Sequence, residues 1–226
     1  MIKGILIDFG GTIDSDGIHW FDQFRDAYAL VASVPESLLW DAYVHTERTL
    51  GRNPIIQPTD TFCKTLQTKI ALQTEYLQTK GITVTAQDTI LDTCYNRVVK
   101  HISTVSKPAL EKLYAKYPMV LVTNFYGNMH TVLAEFGLDH LFKDVIESSV
   151  VGVRKPDPEI FRLGVAALGL EPSQTVMIGD SPDKDILPAQ SIGCNTIQIS
   201  RNGLSDMCCA SDTRTNTIKE VLNLLN

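Results

Sequence analysis

Residues 2–7 form a short apolar run, rich in isoleucine, that stops at Asp8 and is followed by Gly10-Gly11; the next strand-like run begins only at Met119. This interval constrains the fold more than any other feature of the chain. A run that is apolar at nearly every position reads as a strand buried on both faces, the habit of a parallel sheet. Parallel neighbours are joined by crossovers and come from later parts of the chain. The residues between the first strand and the second must therefore leave the sheet and return to it.

The excursion reads as helical throughout, from about Gly17 to His101. Trp20, Phe21, Phe24, Tyr28 and Val31 recur at helical spacing, as do Leu39, Ala42, Tyr43 and Leu50 after Pro35. Phe62, Leu66, Ile70 and Leu77 form a third stripe, and Ile90, Cys94, Val98 and Ile102 a fourth. Four amphipathic helices with no strand among them bury their stripes on one another, as in a small bundle. The glutamine- and threonine-rich stretch Thr65–Thr79 is expected to be a solvated helix face.

From Lys107 the rhythm becomes strand–helix alternation. Helices are expected near Pro108–Tyr117, Asn128–Phe136, Asp157–Leu168, Ser181–Ile192 and Thr217–Leu225. Strands are expected at Met119–Thr123, Val145–Glu147, Thr175–Ile178 and Asn195–Ile199. Repeated units of this kind imply an α/β fold, a doubly wound parallel sheet with helices on both faces, interrupted after its first strand by the helical bundle. The expected division is a core of residues 1–16 and 104–226 and a helical cap of residues 17–103.

Composition adds exclusions. With 226 residues, 44% hydrophobic and 20% charged, the chain has the balance of a soluble globular protein. A net charge of −6 argues against nucleic acid as a partner. No apolar run is long enough to span a bilayer, and Met1–Ile7 lacks the features of a signal peptide, so no membrane association and a cytoplasmic location are expected. Cys63, Cys94, Cys194, Cys208 and Cys209 have no metal-ligand spacing, and ordinary thiols are expected.

In an open α/β sheet, ligands gather outside the carboxyl ends of the strands. Four places there carry polar chemistry. Asp8 follows a buried strand, and Gly10, Gly11 and Thr12 allow backbone amides to approach a phosphate. Thr123 and Asn124 end the second strand with hydrogen-bonding groups. Lys155, in Arg154-Lys155-Pro156-Asp157-Pro158, is a compact cation suited to a phosphoryl group. Gly179-Asp180, with Asp183 and Asp185 in the following turn, suits a Mg²⁺ ion held by one or two carboxylates. Each is also an ordinary turn, cap or surface charge when taken alone.

In combination, the strand-ending Asp8, the strand-ending Thr123, Lys155-Pro156 and Gly179-Asp180 with Asp185 resemble the four motifs of the haloacid dehalogenase superfamily, in the family's order and over nearly the whole chain. The helical excursion resembles the cap of one large subgroup. The resemblance implies a hydrolase acting on a small phosphorylated metabolite, with Mg²⁺ as cofactor. It implies Asp8 as the nucleophile that forms an aspartyl-phosphate, Thr123 as a phosphate-holding hydroxyl and Lys155 as the charge-stabilising lysine. Gly11, Thr12 and Asn124 are the further substrate-binding candidates. Asp8, the Gly10 carbonyl, Asp180 and Asp185 are the implied metal site.

Gly10 departs from the pattern. Phosphatases of the family usually carry a second aspartate there, which protonates the leaving group and then activates water, a role worth ~10²–10⁴-fold in rate. Several readings follow. The substrate could carry a good leaving group, as an acyl phosphate does, or Asp14, Asp16 or a cap residue could supply the base. The chain could be a weak or silent relative that only binds ligand. It could also cleave C–P or C–X bonds, as phosphonatases with an imine-forming cap lysine and dehalogenases do. Lys64, Lys69 and Lys80 are candidates for such a lysine by location, although surface positions are expected for all three.

Overall fold

The structure, a computed structural model, describes residues 1–200 and 213–225. The Cys208-Cys209 pair lies outside them. Six parallel strands form one sheet: β1 (Gly4–Ile7), β2 (Met119–Thr123), β3 (Asp144–Glu147), β4 (Thr175–Gly179), β5 (Asn195–Ile199) and β6 (Thr213–Thr215), in the order β3-β2-β1-β4-β5-β6. The first strand is thus central, flanked by the second and the fourth. The sixth strand was not expected, because Thr-Arg-Thr carries no apolar signal; it is an edge strand held by backbone pairing to β5.

The excursion after β1 is helical: α1 (Trp20–Tyr28), α2 (Glu36–Arg52), α3 (Phe62–Thr79) and α4 (Gln87–His101). The four expected stripes face inward, buried at every position except the partly buried Trp20, Val31 and Tyr43, and α2 packs on α3, α3 on α4 and α4 on α1. Thr61 starts α3 by accepting a hydrogen bond from the Lys64 amide through its hydroxyl (3.1 Å), and His19 starts α1 by accepting from the Phe21 amide (3.2 Å). Each leucine, isoleucine or phenylalanine buried here contributes about 1.5–3 kcal/mol. Residues 102–106 continue the helical path as a wide turn into α5 (Lys107–Tyr114). Then follow α6 (Met129–Glu135), α7 (Ser148–Val151), α8 (Glu159–Leu168), α9 (Leu187–Ser191) and α10 (Val221–Leu224).

Alternation along β1 assigns its side chains to two faces. Ile5 and Ile7 join an apolar cluster that includes Leu121, Val176, Ile178 and the stripes of the four-helix excursion. Leu6 joins Val120, Val122 and Met177 beneath α8 and α9. The first cluster is continuous from sheet to helices, and Phe9 meets Phe62 of α3 edge-on at 6.0 Å between ring centroids.

The Thr65–Thr79 stretch is not simply a solvated face. Thr65, Lys69, Gln73 and Thr74 are buried, because α3 packs against both α2 and α4 and so needs more than one inward face. Among the described residues, no helix is long and apolar enough to cross a membrane.

Candidate active site

Strand register brings the polar strand ends together. Ile7 lies level with Leu121 of β2 and Ile178 of β4. Asp8, Thr123 and Asp180 therefore emerge at one edge of the sheet, one or two residues past that level. They line one wall of a cavity of about 910 Å³, together with Gly10, Gly11, Asn124, Lys155 and Asp185. The opposite wall comes from α1, α2 and α3.

Lys155 is the electrostatic centre of that wall. Its ammonium bonds Asp8 Oδ1 at 2.7 Å and Asp185 Oδ1 at 2.6 Å, and it is 4% exposed. Burial disfavours the lysine's charge, but the two carboxylates outweigh it and hold the pKa above the ordinary value. Asp8 is pushed up to about 6 by burial, against the pull of Lys155 and with the repulsion of Asp185 added. Asn124 fixes the lysine from behind. Its Nδ2 donates to the Lys155 carbonyl (3.1 Å) and its Oδ1 accepts from the Lys155 amide (2.9 Å).

Asp8, Asp180 and Asp185 each offer a carboxylate oxygen, all within 4.8 Å of one another. Three carboxylates thus face one ammonium. Burial and the neighbouring Asp185 and Asp8 drive the Asp180 pKa well above its usual value. Carboxylates so crowded fit a hard divalent cation, which takes oxygen ligands and relieves the repulsion. The local sequence is built for this approach. Gly11 has φ +83°, and a Cβ on it would collide with the Asp180 carboxylate; a Cβ on Gly179 would collide with Asp185.

Gly10 is different. Its φ of −76° and ψ of 121° suit any L-residue, and a Cβ there would meet nothing nearer than Cδ1 and Nε1 of Trp20, both at 3.9 Å. Beside this open position sits a second buried acid. Asp14 accepts from Trp20 Nε1 (2.7 Å) and from the Gly11 amide (2.7 Å). Burial pushes its pKa up to about 7 despite both donors.

A family model described as haloacid dehalogenase-like hydrolase matches residues 2–193. The chain belongs to the haloacid dehalogenase-like hydrolases. It is 38% identical over 106 residues to the phosphoserine phosphatase of Thermus thermophilus, covering 46% of this chain and 42% of that protein. It is 36% identical over 95 residues to the glyceraldehyde 3-phosphate phosphatase of Methanocaldococcus jannaschii, covering 41% of this chain and 42% of that one. The chain thus spans about two fifths of the length of these curated relatives. The crystal structure of a HAD phosphatase from Thermococcus onnurineus superposes with a TM-score of 0.60 at 24% identity, over 100% of this chain and 98% of that one. That likeness shows the fold.

In this haloacid dehalogenase-like chain, eight of the nine residues singled out from the sequence share the cavity wall. Thr12 does not. It is fully buried, and its hydroxyl finds no partner among the described residues. Asn124 lines the wall, but its amide is bonded to the Lys155 backbone. Asp16 lies elsewhere, accepting from Thr217 Oγ1 (2.6 Å) and the Ile218 amide (2.9 Å) near the C-terminal helix. Lys64 and Lys80 are exposed. Lys69 is not a surface residue: it is 7% exposed and lines the cavity.

Sequence reasoning missed Glu47 and Tyr126. Glu47 Oε1 pairs with Lys69 Nζ at 2.8 Å, and Tyr126 donates to Glu47 Oε2 at 2.6 Å. A signal was available. Glu47 follows Tyr43 by four residues, and Lys69 follows Leu66 by three, so both charges stand beside apolar stripes.

Proposed function

We propose that this hydrolase is a Mg²⁺-dependent phosphatase of small phosphorylated metabolites that works through an aspartyl-phosphate on Asp8. The observation that carries the reading is the buried Lys155 ammonium, set between Asp8 and Asp185 beside Asp180 at the ends of adjacent strands. The names of the relatives, phosphatases for phosphoserine, glyceraldehyde 3-phosphate and phosphoglycolate, support the same chemistry.

Lys155 holds one Asp8 oxygen and lowers the charge density where a phosphoryl dianion must approach. The Asp8 carboxylate attacks phosphorus, the bond to the leaving oxygen breaks, and the Thr123 hydroxyl steadies the phosphoryl oxygens. Water then attacks the phosphorus of the acyl phosphate, which frees inorganic phosphate and restores the Asp8 carboxylate. Asp8, Asp180, Asp185 and the Gly10 carbonyl would hold Mg²⁺, which supplies compensating charge for phosphate and carboxylates. Residues 17–103 act as the cap on the core of residues 1–16 and 104–226, with α1 to α3 covering the cavity and limiting bulk water.

With glycine at position 10, the carboxyl that would protonate the leaving group from that position is missing. The reading therefore favours substrates with good leaving groups. Imine chemistry at Lys69 is disfavoured. Burial alone would lower the pKa of that lysine, but Glu47 outweighs burial and holds it above the ordinary value, so the amine stays protonated and non-nucleophilic.

Single-turnover incubation with acetyl phosphate and with alkyl phosphates, with Mg²⁺ and with chelator, tests the proposal. Mg²⁺-dependent phosphate release that disappears in Asp8→Asn is expected. Release that is indifferent to both the metal and Asp8 would overturn it.

A further inference from the structure

The helical wall of the cavity carries a charge arrangement that phosphoryl transfer itself does not use. Lys69 Nζ lies 5.8 Å from the ring centroid of Trp20 and 5.1 Å from that of Tyr126. Glu47 is its single acidic partner among the described residues, at 2.8 Å. An ammonium has three N–H donors. No other acceptor bonds this one among the described residues, although the residue is 7% exposed and lines the cavity. A buried ammonium with donors to spare is costly unless something completes its shell.

The surroundings have the same sign. Arg52, Arg154 and Lys184 line the same cavity and are exposed. The acids Asp8, Asp180 and Asp185 are gathered around Lys155. That leaves Glu47 as the acidic side chain on the cavity wall outside that cluster, against four cations. Glu47 stays ionised: burial alone would raise its pKa, but Lys69 and the Tyr126 hydroxyl overcome that. It holds Lys69 in place and leaves the ammonium available to a second anion.

Resting on the phosphatase reading, we propose that the leaving-group half of the substrate carries its own anionic oxygen group, a carboxylate or a second phosphate, and that Lys69 is the specificity-determining residue that receives it. Glu47 and Tyr126 act as positioning residues that hold the lysine against the cavity.

The test is calorimetric binding to the Asp8→Asn protein, which reports recognition without turnover. 3-Phosphoglycerate and glycerol 3-phosphate differ by a carboxylate in place of a hydroxymethyl group. Fructose 1,6-bisphosphate and fructose 6-phosphate differ by a second phosphate. At least one member with the extra anion is expected to bind about tenfold or more tighter than its partner, the range of a charge-assisted hydrogen bond; which pair shows the preference tells carboxylate from phosphate. Lys69→Met on the same background should shrink that ratio to below about twofold, and Lys69→Arg should keep most of it. Lys69→Gln provides a second neutral variant if Lys69→Met does not fold, with a thermal melt establishing that each variant is folded. Equal affinities within both pairs, or a ratio unchanged in a folded neutral variant, would overturn the assignment. Absence of phosphate release by the wild-type protein with Mg²⁺, together with a Lys69-dependent binding preference in Asp8→Asn, would overturn the phosphatase reading and leave Lys69 as the receptor of the anionic group.

Discussion

Gly10→Asp is expected to raise turnover. The backbone accepts the change, since φ −76° and ψ 121° lie in the ordinary extended region. Space accepts it too, with the nearest atoms to a new Cβ being Trp20 Cδ1 and Nε1 at 3.9 Å. The indole N–H is already committed to Asp14 at 2.7 Å, so it does not capture the incoming carboxylate, which is left facing the cavity that Gly10 lines. Asp8, Asp14 and Asp180 nearby raise the pKa of the new acid, which favours its protonated, proton-donating form near neutral pH. General acid–base assistance is worth ~10²–10⁴-fold, or about 3–5 kcal/mol of barrier. The assay is initial phosphate release at saturating Mg²⁺ from an alkyl phosphate, whose leaving group needs a proton, and from acetyl phosphate, whose leaving group does not. The variant should gain two or more orders of magnitude on the alkyl ester and far less on the acyl phosphate. A folded variant with less than a tenfold gain on the alkyl ester would refute the idea that this missing carboxylate limits the reaction.

Stability should respond to pH and metal together. The Asp14 pKa rises on folding from 3.8 to about 7, so the folded state binds more protons, and the metal-free protein loses stability as pH climbs through that window. The Asp8 shift, to about 6, has the same sign. Melts in chelator should fall between about pH 4 and pH 7, by at most ~4 kcal/mol from Asp14, and Mg²⁺ should recover stability at the upper end; a flat profile would contradict the assignment. Lys155→Met removes the ammonium between Asp8 and Asp185 and should cost about 3–5 kcal/mol in metal-free denaturant titrations, as well as abolishing turnover. Gly11→Ala combines a left-handed φ with a Cβ aimed at Asp180, so it should weaken Mg²⁺ binding at least about tenfold, seen as a smaller metal-induced rise in Tm; metal binding at the original strength would count against Asp180 as a ligand.

Much of the architecture was legible because burial on both faces writes itself into consecutive residues. Ile5–Ile7, Val120–Val122 and Val176–Ile178 are apolar at every position, and the polar residues just beyond them, Asp8, Thr123 and, after Gly179, Asp180, are brought to one edge by the register. The edge strand Thr213–Thr215 was not legible, since its place depends on backbone bonds to β5, which any side chains permit. Lys69 was misread as a surface charge because a lysine on a helix is usually solvated; its burial depends on Glu47, twenty-two residues earlier, and on Tyr126, in a loop after β2. The bonding of Asn124 was hidden for a related reason. A strand-ending amide can serve a ligand or a neighbouring loop equally well, and only the folded position of Lys155 decides between them.

That pairing has a mechanical meaning. Thr123 and Asn124 are consecutive residues; one presents its hydroxyl at the cavity wall, and the other grips the peptide that carries the ammonium. The end of β2 therefore serves as a gauge: one peptide unit and a pair of hydrogen bonds tie the strand that carries the hydroxyl to the backbone that carries the ammonium. A shift of β2 along the sheet would pull on the Lys155 backbone while Asp8 and Asp185 hold its ammonium, so strand, loop and carboxylates resist such a shift together.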